Sequence, residues 1–182
     1  MKVGRIALLT FISVLVSACF VAPTRIASNK SENYTSEPKR IFVLTDVGTE
    51  FGKDFSDSFQ RKLTAIAKDC GAALELTRIS SLELDENIHL NKMKAFNADT
   101  LLRVKRNGGT ADQYGTLLHV IYDVRLVDAP SNKTVWRANI DFHRGGIGIP
   151  ITERGEVLAV DITNKMKEDK IFHSCEIIKS KT

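Results

Sequence analysis

Three consecutive stretches decide the fold: GTLLHVIYDVRLV (residues 115–127), DAPSNK (128–133) and TVWRANIDF (134–142). In the first, Leu118, Val120, Tyr122, Val124 and Leu126 fall on one side, while His119, Asp123 and Arg125 fall on the other, with Ile121 as an exception. In the third, Thr134, Trp136, Ala138, Ile140 and Phe142 alternate with Arg137, Asn139, Asp141 and His143. A period of two marks strands, and the cluster Asp128–Lys133 supplies turn residues between them. The pair reads as a long antiparallel hairpin with one dry face and one wet face. Keeping the dry faces together allows only even register shifts. Setting Asp123 opposite Arg137 and His119 opposite Asp141 pairs unlike charges. That register is preferred over the one that sets Arg125 against Arg137.

Outward from the hairpin, Leu101–Arg106 alternates as a third strand, followed by an expected loop at Asn107-Gly108-Gly109-Thr110. Upstream, Arg40–Val47 and Ala73–Ile79 read as strands. Between them Phe51, Phe55, Phe59, Leu63 and Ile66 mark an amphipathic helix over Thr49–Lys68, stopped by Gly71. A weaker helix spans Asp85–Phe96. A last helix runs from Thr152 to Lys170 on a stripe of Leu158, Ile162 and Met166. The expected fold class is α+β: a mixed four- to five-stranded sheet with a long antiparallel hairpin, flanked by two or three helices. Burying Trp136, Phe142 and the helix phenylalanines would contribute ~1.5–3 kcal/mol each before entropy.

The chain begins with Lys2 and Arg5, an apolar run from Ile6 to Val16, and then Ser17-Ala18-Cys19. The run is about half the ~20 residues of a membrane-crossing helix and has the layout of an export signal. With a cysteine after the small pair, the segment resembles a bacterial lipoprotein signal. That resemblance implies cleavage after residue 18 and lipidation of Cys19. Phe20 follows; in the enterobacterial lipoproteins resembled, an aspartate there retains the protein in the inner membrane. The expected address is therefore the periplasmic face of the outer membrane.

The expected domains are a signal peptide over 1–18, a lipidated cysteine and flexible tether over 19–38, and one globular domain over 39–182. The tether reading rests on the Ser, Asn, Thr and Pro content of residues 20–38. The precursor carries 26 basic and 22 acidic residues. Losing Lys2 and Arg5 leaves a net charge of +2, which gives no support to nucleic-acid binding through a single-sign field. Cys70 and Cys175 form an even pair in an oxidising compartment, which points to a disulfide.

The chemistry-bearing patterns are few. His119, Asp123, Asp141 and His143 share the wet hairpin face and could gather zinc, which would suit a periplasmic metal-dependent hydrolase. Cross-strand ion pairs account for them without a metal, and no compact metal-ligand spacing occurs. The glycine run Gly145–Gly148 lacks the Lys and Ser/Thr of a phosphate loop and reads as a connector. No nucleophile–base set, cofactor motif or metal set is nominated, so the expectation is a protein that is not an enzyme and takes no cofactor. Arg103, Lys105, Arg106, Arg125 and Arg137 could form a basic stripe facing an acidic partner.

Val124-Arg125-Leu126-Val127-Asp128, a turn, and then Thr134-Val135-Trp136 resemble a signature of small envelope lipoproteins. These include the outer-membrane activator of penicillin-binding proteins and the curli-assembly lipoprotein. Asn97-Ala98-Asp99-Thr100-Leu101-Leu102 is similar to their helix-to-strand junction. The lipopolysaccharide-assembly lipoprotein offers a second resemblance, in its size, central hairpin and closing helix. These resemblances imply a sheet flanked by helices and a non-catalytic role, binding a protein partner in envelope assembly while anchored to the outer membrane.

Overall fold

The computed structural model describes residues 24–79, 87–114, 117–143 and 149–178. Cys19, the signal segment and Gly145–Gly148 lie outside the described residues. Six strands and three helices follow in chain order: β1 (Arg25–Lys30), β2 (Arg40–Thr45), α1 (Lys53–Asp69), β3 (Ala73–Arg78), α2 (Ile88–Ala95), β4 (Thr100–Ala111), β5 (Leu117–Asp128), β6 (Lys133–His143) and α3 (Ile151–Glu168). They form one mixed sheet in the order β1-β6-β5-β4-β2-β3. β2 pairs in parallel with both β3 and β4, and the other pairs are antiparallel.

Alternation explains which side of the sheet is dry. Val120, Tyr122, Val124 and Leu126 of β5 face inward with Trp136, Ala138, Ile140 and Phe142 of β6, all essentially without solvent contact. Over them pack Phe55, Phe59, Leu63 and Ile66 of α1, and Leu158, Ile162 and Met166 of α3. Phe51, Phe55 and Phe142 meet at ring-centroid distances of 4.9–6.4 Å. The crossovers β2–α1–β3 and β3–α2–β4 run in opposite directions along the sheet, so the right-handed rule puts α1 and α2 on opposite faces. Phe42 agrees with this: it is fully buried, points away from the α1–α3 side, and lies outside the main core. Among the described residues, the outer side of β1, β6, β5 and β4 is an open sheet face.

The structure corrects several expectations. The sheet has six strands, because the stretch expected to be a flexible tether contains β1, paired along its length with β6. Its inward residues are held at the end of α3: Ser28 Oγ donates to Asp169 Oδ2 at 2.5 Å, and Lys30 Nζ to Lys170 O at 2.9 Å. The expected loop at residues 107–110 is strand. β4 runs on to Ala111 through a bulge next to Gly108, where Gly108 and Gly109 take φ of 151° and 157° that side chains rarely adopt.

The hairpin register is the one disfavoured on charge: Arg125 faces Arg137 and His119 faces His143. Turn geometry outweighs exposed charge pairs here. Asp128 Oδ2 accepts from Ser131 N at 3.0 Å, Asn132 takes φ 53°, and a bulge between Leu126 and Val127 completes the turn. Cross-strand pairs are worth only ~0.2–1 kcal/mol each, and Asp123, bonded to both Arg125 and Arg137, offsets part of their repulsion.

At the far end from the β4–β5 tip, Cys70 and Cys175 are joined by a disulfide. It ties the end of α1 to the segment after α3. Glu37 takes part in the same junction, accepting from His173 N, Ser174 N and Ser174 Oγ. Burial pushes its carboxyl up, but these bonds and Lys39 outweigh that and hold it at about 2.

Candidate functional site: an arginine row on the open sheet face

The pairings Arg103↔Arg125 and Arg125↔Arg137 put three guanidinium side chains in one row across β4, β5 and β6. Neighbouring strands stand ~4.8 Å apart, so the row spans about 10 Å. Its ends are Asn29 of β1 and Leu44 of β2. The adjoining row reads Ala27, Asn139, Asp123 and Lys105.

Asp123 sits diagonally between two of the arginines. Its Oδ2 accepts from Arg125 Nε at 2.8 Å, and its Oδ1 from Arg137 Nε at 2.7 Å. Burial raises its carboxyl, but the two arginine bonds together hold it below the usual carboxylate range. One carboxylate thus serves two arginines, while Arg103 and Lys105 make no ion pair among the described residues. The Arg125 and Arg137 side chains remain 41% and 56% exposed. A planar donor fork reaches carboxylate or phosphate in two-point fashion, so the row offers geometry as well as charge.

Arg103, Lys105, Arg125 and Arg137 are therefore brought together on one exposed patch. Arg106 is not with them. It pairs with Tyr122 on the helix side of β4, and its N–H donates to Asp46 Oδ1 at 2.9 Å. The expected set of His119, Asp123, Asp141 and His143 is also divided. His119 Nε2 lies 2.6 Å and His143 Nε2 3.4 Å from Asp141 Oδ1, with ring centroids 5.1 Å apart. Asp123 belongs to the arginines. Among the described residues, no three donors stand at a spacing that would hold a metal ion.

Other polar groups escaped the sequence reading. Tyr122 is fully buried and donates to Glu50 Oε1, and burial, with the nearby Glu50 carboxylate, pushes its phenol far up. Arg154 is buried against the Phe142 ring at 4.5 Å and donates to His143 O; burial lowers its guanidinium. The sequence signal was a charge on an otherwise apolar helix stripe, which fixes no partner. A shallow groove of about 520 Å³ runs along the outer side of α1, lined by Asp57, Gln60, Arg61, Thr64, Ala65 and Lys68. It lies on the helix side, away from the arginine row. Among the described residues, no helix is long and apolar enough to cross a membrane.

No family model matches the chain. No curated protein matches it in sequence. Solved structures do resemble it. A single-substitution variant of the PelC dodecamer from Paraburkholderia phytofirmans superposes with a TM-score of 0.50 at 13% identity, covering 77% of this chain and 95% of that one. A second crystal form of the PelC dodecamer gives a TM-score of 0.49 at 15% identity, covering 77% and 94%. The lipoprotein GNA1162 from Neisseria meningitidis gives 0.41 at 15% identity, covering 72% and 99%. At such identities the first of these supports a shared fold, and the fold alone.

Proposed function

We propose that this protein is a lipid-anchored lipoprotein on the periplasmic face of the outer membrane. In this reading it is not an enzyme, and it binds a protein partner in cell-envelope assembly or maintenance. The anchor is Cys19. The binding surface is the open sheet face, and the partner presents clustered carboxylates to the arginine row. The observation that carries this reading is the alignment of Arg103, Arg125 and Arg137 with Asp123 as their only counter-charge among the described residues. A row of like charges is unfavourable for folding, and contact with an acidic surface would offset that cost.

PelC is a dodecamer, so a further copy of the chain is one partner to be distinguished from a different protein. The test is a photo-crosslinking residue at Asn139, exposed beside the row, followed by mild-detergent extraction and mass spectrometry. The expected result is one stoichiometric envelope protein, lost when Arg103 and Arg137 are both replaced by Glu. Recovery of the protein alone, or adducts indifferent to the double replacement, would count against the reading.

A further inference from the structure

We infer that the tip of the β4–β5 hairpin, through Tyr114 and Leu118, rests on the surface of the membrane that holds the anchor. The inference rests on the proposed acylation of Cys19 and adds to it an orientation and a contact surface.

Strand register supplies the geometry. Ile26 pairs with Ile140, and Ile140 with Tyr122. β1 and β5 are both antiparallel to β6, so they run in the same direction. Counting back in step, Thr24 stands level with Val120; five residues separate Thr24 from Cys19, and the last pair of the β4–β5 hairpin, Ala111↔Leu117, lies three residues beyond Val120. Five residues cover at most about 18 Å. Three strand residues cover about 10 Å, so an acylated Cys19 held among the lipid headgroups lies at most about 8 Å beyond the level of that last pair. So short a span keeps this end of the sheet beside the bilayer. Among the described strands, β4 and β5 extend farthest in that direction, so their hairpin is the part placed to meet the surface.

That element carries the side chains such a contact needs. β6 ends at His143, opposite His119, and both strands of the β4–β5 hairpin continue past that level. Tyr114 is 83% exposed and Leu118 50%, beyond the reach of the α1–α3 core. Asp112 Oδ1 accepts from Tyr114 N at 2.9 Å, which fixes the backbone that presents the ring. Tyrosine suits the headgroup level of a bilayer, where its apolar ring is covered and its hydroxyl stays wet. The opposite end of the domain, with the disulfide and the Ala129–Asn132 turn, would face away from the membrane, and the sheet face would stand roughly upright, with the arginine row running parallel to the membrane and accessible from the side.

The experiment uses the full chain matured in cells, purified with its acyl groups and placed in vesicles of phosphatidylethanolamine and phosphatidylglycerol that contain spin-labelled phospholipid. Tyr114→Trp and Leu118→Trp are compared with Ser131→Trp at the opposite turn, against the parent fluorescence of buried Trp136. The 114 and 118 variants should lose most of their added fluorescence to the quenching lipid and shift to shorter wavelength, while the 131 variant loses none. Acylated, vesicle-bound protein in which all three respond alike overturns the tip contact and leaves the anchor standing. A mature chain without acyl mass on Cys19 overturns the anchoring reading and this inference with it. Protection of the Tyr114→Trp indole from aqueous iodide without quenching by lipid assigns the tip to a protein neighbour and overturns the membrane contact.

Discussion

Gly155 lies where α3 crosses α1, and a methyl group there would overlap Ser58 Oγ and the Phe55 carbonyl. Both helices are fixed by the sheet beneath them, so the overlap can be relieved only by moving backbone. Gly155→Ala should therefore lower stability by about 1–3 kcal/mol, despite the better helix propensity of alanine. Urea titrations of the parent and the variant measure the loss, and an unchanged midpoint would contradict this account. The sequence shows a glycine inside a helical pattern but not the helix that comes against it. The arginine row has the same character. Alternation puts Arg125 and Arg137 on the wet face, yet their adjacency depends on the turn, and a cluster of turn residues at 128–133 does not by itself fix a register. Asp123 serves Arg125 along its own strand and Arg137 diagonally across the hairpin, which a rule about directly opposed charges does not consider.

Among the elements, β1 shows what hydrophobic patterning cannot detect. In RIASNK only Ile26 is a large apolar residue, and the alternation is carried by Ser28 and Lys30, whose partners are polar groups at the end of α3. Asp169 is the centre of that junction. It accepts from Ser28 Oγ at 2.5 Å and Trp136 Nε1 at 2.7 Å, and Lys165 Nζ lies 3.3 Å away. Burial raises its carboxyl, but the Ser28 and Trp136 bonds, with Lys165, together hold it below the ordinary range. A carboxyl depressed in the folded state stabilises the fold above its unfolded value of ~3.9 and loses that contribution as pH falls through its folded value. Asp169→Asn should cost about 1–3 kcal/mol at pH 7, since bonds to a charged acceptor are lost, and progressively less in acid below ~3.9. Denaturation followed by Trp136 fluorescence at pH 7 and in acid measures both, and a cost that does not shrink on acidification would show that the ionised carboxylate is not responsible.

Across the whole molecule, the disulfide is the longest-range covalent constraint and the one the sequence made most legible. Under the proposed acylation of Cys19 the other two cysteines leave one intramolecular pairing, whereas the number of strands and their order depended on contacts no local window contains. The bond joins positions 105 residues apart, from the end of α1 to the segment beyond α3. That segment is also held without it. Asn164 Nδ2 donates to Ile178 O and Ile178 N donates back to Asn164 Oδ1, both at 2.8 Å, while Lys167 Nζ donates to Glu176 O at 2.6 Å. Reduction should therefore leave the fold intact and act mainly by restoring freedom to the unfolded chain. A loop of that length corresponds to ~4–5 kcal/mol in the chain-entropy model, and measured native bridges cluster at about 2–4. Replacing both cysteines by Ser should shift the urea midpoint down by an amount in that lower range, preserve the circular dichroism of the native protein, and abolish any further effect of dithiothreitol. If the double variant were as stable as the oxidised parent, the bridge would impose no constraint that the polar bracket on the tail does not already supply.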